Sequence, residues 1–170
     1  MINKNQIIKK LKNYEIFNTV AKNDFKNFVD QIKFKKIDKN TTIIEENSYS
    51  DSLIFLIDGQ ISISRRMTLS KNHNAHQEKE ILNTDAGSNP IFGEIGLFGN
   101  SHKRTATIRT INECIIGTIT KDVFFDICEK NNTLGYKLLR NISIILSKRI
   151  TDTNTNVMKL TTALCLIIKK

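Results

Sequence analysis

The chain has little that would staple it, anchor it or make it a catalyst. Cys114, Cys128 and Cys165 stand far apart and are odd in number. That excludes a disulfide framework and the paired spacing of a zinc site, and it points to a reducing cytoplasm. No run approaches the roughly 18 consecutive apolar residues of a membrane-spanning helix, and Met1–Gln6 lack the apolar core of a secretion signal. Histidine is scarce. His73 and His76 lie in a polar stretch and His102 is far along the chain. No nucleophile–base pair or metal triad is visible, so a metal enzyme on a cupin-like barrel is disfavoured, and neither catalysis nor a metal or cofactor is expected.

Acidic residues are also short, at 17 against 26 Lys and Arg, for a net charge of +9. The imbalance is concentrated in residues 1–40, where ten lysines face four acids. One reading is an arm for nucleic acid, anionic lipid or an acidic partner. The other is a solvated helix face in a Lys- and Asn-rich chain. No arginine accompanies these lysines, so the second is preferred and nucleic acid is not an expected partner.

What is present is ordinary for a folded domain: 39% hydrophobic and 25% charged residues over 170 positions, enough for one domain with or without a long helix. Residues 5–33 read as helical, from apolar positions at three- and four-residue steps such as Ile7, Leu11, Phe25, Phe28 and Ile32. Asn23-Asp24 offers a cap for a second short helix. From Phe34 short β-rich runs follow, among them Leu53–Ile57, Ile61 and Ile63, with Asp58-Gly59 as a hairpin turn. Residues 66–79 read as an exposed loop, Asp85–Pro90 as a turn, and Arg104–Thr110 and Ile115–Ile119 as strands. Many short strands predict a small barrel or jelly roll. Thr120-Lys121-Asp122 opens a helical tail. From Tyr136 a seven-residue repeat appears, Tyr136, Ser143, Ile150, Val157, Leu164 with Leu139, Leu146, Thr153, Leu160, Ile167. A seam this long predicts packing on a partner helix, and self-association is favoured over a helix lying on its own barrel. The expected segments are 1–33 helical, 34–120 the β-roll and 121–170 the C-terminal helices.

One motif carries chemistry. Phe92-Gly93-Glu94-Ile95-Gly96-Leu97-Phe98 places a carboxylate between glycines, ten residues before Arg104-Thr105-Ala106. Gly93 lets a ligand approach the backbone. Arg104 brings a planar fork suited to phosphate oxygens. Thr105 adds a hydroxyl, Ala106 leaves room, and Glu94 makes sense in such a pocket if it accepts from a sugar hydroxyl beside the phosphate. The alternative is a plain Glu94–Arg104 salt bridge across a loop.

Phe92-Gly93-Glu94 with Arg104-Thr105-Ala106 resembles the phosphate-binding cassette of the cyclic nucleotide-binding domain family, and Leu53–Ile61 is similar to that family's hairpin. The resemblance runs from about Ile16 to the end. It implies an α+β fold, a jelly-roll-like β-roll flanked by N-terminal helices and a long C-terminal helix. It also implies that Glu94 holds the ribose 2′-hydroxyl and that Arg104 and Thr105 hold the cyclic phosphate, within a site formed by Gly93, Glu94, Ile95, Arg104, Thr105 and Ala106. Leu146–Ile150 is similar to the capping helix of the bacterial activators, which implies that Thr153 and Asn154 lie near the base. Departures are Asn47 and Ser50 where the family often has glycine, an approach Gly87–Ile91 one residue longer, and too few residues after Thr153 for a helix-turn-helix. The expectation is a stand-alone sensor of cAMP, with cGMP kept open, that dimerises through its last helix and signals to a protein partner. The alternative is a transcription regulator lacking its DNA-binding domain.

Overall fold

The computed structural model describes residues 3–66, 78–98 and 103–168. Two short helices open the chain, α1 (Lys4–Leu11) and α2 (Lys22–Val29), with a 3-10 turn at Glu15–Phe17 between them. The helical segment expected over 5–33 is thus interrupted. Tyr14, Ile16 and Phe17 all enter the core, and Thr19 turns left-handed at φ 65°. No continuous helix presents those side chains inward together. α2 also starts earlier than expected, with Ala21 at its cap position. Asp24 lies in its first turn, where its carboxylate accepts from Asn131 Nδ2 at 3.0 Å.

Among the described residues eight strands follow: β1 (Lys33–Ile37), β2 (Thr42–Ile44), β3 (Ser52–Asp58), β4 (Gln60–Arg66), β5 (Glu78–Asp85), β6 (Ile91–Phe92), β7 (Thr107–Thr110) and β8 (Cys114–Thr120). They form two four-stranded antiparallel sheets, β1-β8-β3-β6 and β2-β7-β4-β5. Asp58-Gly59 makes the expected tight connection between β3 and β4. Gly59 has φ 93°, and a Cβ there would stand 2.5 Å from both Cys114 Sγ and the Glu113 carbonyl. The strand expected from Arg104 begins only at Thr107, because Arg104 turns its side chain inward and its N–H pairs with the Ser48 carbonyl at 2.9 Å. The histidines His73, His76 and His102 and the centre of the polar stretch lie outside the described residues.

The apolar run of β3 is buried on both faces. Ile54 and Leu56 join Ile44, Ile61, Ile108 and Ile116 inside the roll. Leu53, Phe55 and Ile57 face the helices, where Phe17 stacks on Phe55 at 5.9 Å between ring centroids and meets Phe25 and Phe28 edge-on. This double burial explains why β3 reads as a continuous hydrophobic run rather than an alternation.

Two helices close the chain, α4 (Lys121–Lys130) and α5 (Asn132–Ile168). At 37 residues α5 is about 55 Å long. Its inward face packs Leu134, Leu138, Asn141 and Ile142 into the helical core. The Asn141 amide donates to the Ile16 and Asn18 carbonyls at 2.9 and 2.7 Å, and Lys148 pairs with Glu15. The heptad seam is divided, with Leu139 and Leu146 partly buried against the same core. Tyr136, Ile150, Val157, Leu160, Leu164 and Ile167 are all exposed. The helix therefore covers its own domain over its first half and leaves the seam from Ile150 onward exposed. None of the described helices is long and apolar enough to cross a membrane.

Candidate functional site

The glycine-flanked motif forms a single short helix, α3 (Glu94–Phe98), directly after β6. Gly93 makes the bend at φ 88°, and a Cβ there would fall 2.0 Å from Arg104 Nη1 and 2.3 Å from the Ser52 carbonyl. Only glycine fits both the dihedral and the space. The loop before β3 runs alongside the segment that enters β7. Asn47 N–H donates to the Arg104 carbonyl at 2.8 Å, and Tyr49 pairs with Lys103 as an isolated bridge. Arg104 is thereby held beneath α3.

A cavity of about 410 Å³ opens here. Its apolar wall is Ile44, Ile63, Leu82 and Ile108 from the roll, and its polar floor is the cassette. Gly93, Glu94, Ile95, Arg104, Thr105, Ala106 and Thr153 all line it. Asn154 does not; it is exposed on α5, and Asp152 and Asn156 border the cavity instead. Successive helical residues rotate by about 100°, so Arg149, Asp152, Thr153 and Asn156 share a face that Asn154 leaves.

Two buried charges dominate the floor. Arg104 is 4% exposed. Its Nη2 donates to Ser50 Oγ at 2.9 Å, the Ser52 carbonyl at 2.8 Å and Ser52 Oγ at 3.0 Å. Its Nε and Nη1 have no hydrogen-bond partner among the described residues. Burial lowers the guanidinium pKa from its ordinary value, against the fields of Glu94 and Asp51, which favour the charge. A buried donor without an acceptor is costly, so this arginine is poised to receive an anion.

Glu94 is also 4% exposed. It is not bridged to Arg104. Arg149 of α5 donates Nη1 to Glu94 Oε1 and Nη2 to the Ile91 carbonyl at 2.7 Å. The plain salt bridge between Glu94 and Arg104 is therefore absent, and each group meets the cavity from its own support. Sequence reasoning missed Arg149 as a site residue, although it fell in the stretch likened to a capping helix. It also missed Ser50 and Ser52 as the groups behind Arg104. With Lys103 at the rim, the cavity has three cationic side chains against Glu94 and Asp152, a balance that favours an anionic guest. Among the described residues no cluster of three or more His, Cys, Asp or Glu is placed to hold a metal.

A family model for the cyclic nucleotide-binding domain matches residues 34–131. The chain is similar, at 26% identity over 133 residues, to the cAMP-activated global transcriptional regulator CRP of Haemophilus influenzae, over 78% of this chain and 54% of the relative. The chain thus spans about half the length of the curated relatives it matches. A cyclic nucleotide-binding domain from Methylobacillus flagellatus superposes with a TM-score of 0.74 at 14% identity, over 91% of this chain and 82% of that one. The Thermus thermophilus catabolite activator protein gives 0.71 at 13% identity, over 86% and 63%. These structural likenesses establish the fold, an α+β arrangement of a β-roll flanked by helices.

Proposed function

The chain belongs to the cyclic nucleotide-binding domain family, and on that premise we propose that it is a receptor for a cyclic purine nucleotide, cAMP before cGMP, and not an enzyme. The observation that carries this reading is Arg104, buried on the cavity floor with two donors left unpaired. A cyclic phosphate supplies the charge and the acceptors those donors lack. The absence of a side chain at Gly93 lets the Arg104 head group lie against the backbone of the cassette, with Thr105 as a further donor at the cavity. Glu94, oriented by Arg149, accepts from the ribose 2′-hydroxyl. The base lies toward Ile63 and Leu82, with Thr153, Asp152 and Asn156 at its edge. Preference for cAMP rests on the name of the Haemophilus relative, a cAMP-activated regulator.

The exposed seam of α5 supports a homodimer. Ile150 and Val157 in one column with Leu160 in the other is the arrangement that favours two parallel strands. The helix that borders the cavity is thus the helix that meets the second copy, and nucleotide binding shifts the population of α5 positions presented to a protein partner. The working division is a helical segment over 1–33, a roll over 34–120 and a dimerising segment over 121–170, in a cytoplasmic protein needing no cofactor beyond its ligand.

Calorimetry with cAMP and cGMP on the intact chain tests the reading. Arg104→Ala is expected to weaken binding by about 1.5–3 kcal/mol or more, the scale of a hydrogen bond to a charged group. Unchanged affinity would remove Arg104 from the site, and no binding of either nucleotide by the wild type would remove the reading. Because the curated relatives are transcriptional regulators about twice as long as the matched part, a second reading is a regulator that acts on DNA. A gel-shift series at varied salt separates the two, since a sensor without a DNA role shows no sequence preference at any salt.

A further inference from the structure

Asn47 and Ser50 are the two positions in the loop before β3 where family resemblance led us to expect glycine. Asn47 substitutes simply: it sits at φ 66°, a left-handed conformation that asparagine tolerates better than most residues. Ser50 does something glycine cannot. Its Oγ accepts from Arg104 Nη2 at 2.9 Å and lies 3.2 Å from Ser52 Oγ, which accepts from the same nitrogen at 3.0 Å. With the Ser52 carbonyl at 2.8 Å, one terminal nitrogen of Arg104 has three acceptors while Nε and Nη1 have none among the described residues.

We propose that the Ser50 and Ser52 hydroxyls are positioning residues that saturate one end of the Arg104 guanidinium and so keep Nε and Nη1 turned toward the anion of the ligand. Neither serine lines the cavity, so they act through Arg104 and not by touching the ligand. An arginine left to itself spreads over many rotamers, and ordering it at the moment of binding costs affinity. Three acceptors on one nitrogen meet that cost during folding. The hydroxyl pair also forms a small network, because each serine that accepts from Arg104 still has a proton to donate, and the other oxygen is within reach. The carbonyl of Ser52 remains when the hydroxyls are removed, so the expected loss is partial.

The proposal rests on the cyclic nucleotide reading for its affinity arm but not for its spectroscopic arm. Side-chain ¹⁵N spectra of the ligand-free intact chain should show rotation at Arg104 Nη2 slowed in the wild type and fast in Ser50→Ala/Ser52→Ala. Calorimetry with cAMP should show about tenfold weaker binding in the double variant, an intermediate loss in Ser50→Ala alone, and partial recovery in Ser50→Ala/Ser52→Thr, which restores one hydroxyl. Melting temperatures that stay close to the wild type would show that the fold is intact. Equal restriction of Arg104 in the double variant, or unchanged affinity, would overturn the proposal. So would a melting temperature that falls in step with affinity and is not restored by Ser52→Thr. A wild type that binds neither cAMP nor cGMP would overturn the function proposed above, and the spectra would still decide whether the serines hold the arginine.

Discussion

One helix, α5, carries two stripes with different destinations. The inward stripe runs Leu134, Leu138, Asn141, Ile142 and Ile145, and continues as Arg149, Asp152 and Asn156. Its first part is buried in the helical core, Arg149 holds Glu94, and the last two border the cavity. The outward stripe is the heptad seam: Leu139 and Leu146 pack partly buried on the core, while Tyr136 and the seam from Ile150 to Ile167 are exposed. Thr153 belongs to both, as a seam residue that lines the cavity. Both stripes obey helical periodicity, but the inward one is spent on this chain's own fold and ligand site. Beyond Leu146, and Thr153 apart, the outward one joins neither core cluster among the described residues. A hydrophobic repeat thus fixes a face and leaves its occupant open.

The comparison can be broken most severely on the inward side. Leu138, fully buried, when cut to Ala should cost about 2–5 kcal/mol of unfolding free energy, read by denaturant titration. A loss near zero would mean that α5 does not dock through this stripe. Leu160→Asn, on the outward side, should leave the unfolding of the separated chain within about 0.5 kcal/mol of wild type. It should, however, shift the mass seen by light scattering toward one copy and remove the concentration dependence of the melting temperature. An unchanged oligomer would free the seam from its proposed role.

Cutting the chain before Thr151 tests where the stripes meet. The shortened chain keeps Arg149 and the buried half of α5 and should fold. It should lose dimerisation and bind cAMP more weakly, because Asp152, Thr153 and Asn156 go with the distal half. Retention of both properties would separate the distal half of α5 from the ligand and from the dimer. The smallest expected effect lies in the thiols. Burial pushes Cys128, beneath the inward stripe, up to about 11, and raises Cys114 as well, whereas Cys165 on the distal half is exposed. At pH 8 a thiol reagent should label Cys165 quickly and the other two only on unfolding. The folded Cys128 thiol holds its proton more tightly than the unfolded one. Its contribution to stability is therefore whole below the unfolded pKa of about 8.5 and is lost as pH rises toward the folded value.

Much of this was legible in the sequence because it rests on local chemistry. Gly59 marks its turn by a positive φ, the β3 run announces burial on both faces, and the Gly93-Glu94 and Arg104-Thr105-Ala106 segments are recognisable by residue type. What the sequence concealed is long-range or angular. The Arg149–Glu94 pair joins residues 55 positions apart, and no spacing rule connects a helix arginine to a buried carboxylate at that distance. Asn154 and Asn156 differ by two residues in sequence but by half a turn of helix, so an expectation shifted by two misses the cavity. Ser50 read as a loop departure because its partner, Arg104, approaches from 54 residues away. The break at residues 12–21 was hidden by a run of apolar residues that suits a helix and a 3-10 turn equally.

Ligand capture depends on Arg104 offering its free donors to the phosphate. The most direct test follows the Arg104 Nε–H resonance of the intact chain during titration with cAMP. The resonance should move downfield in step with saturation, because the proton gains a charged acceptor. If cAMP binds while that resonance stays in place, the phosphate is held elsewhere and the central claim is contradicted.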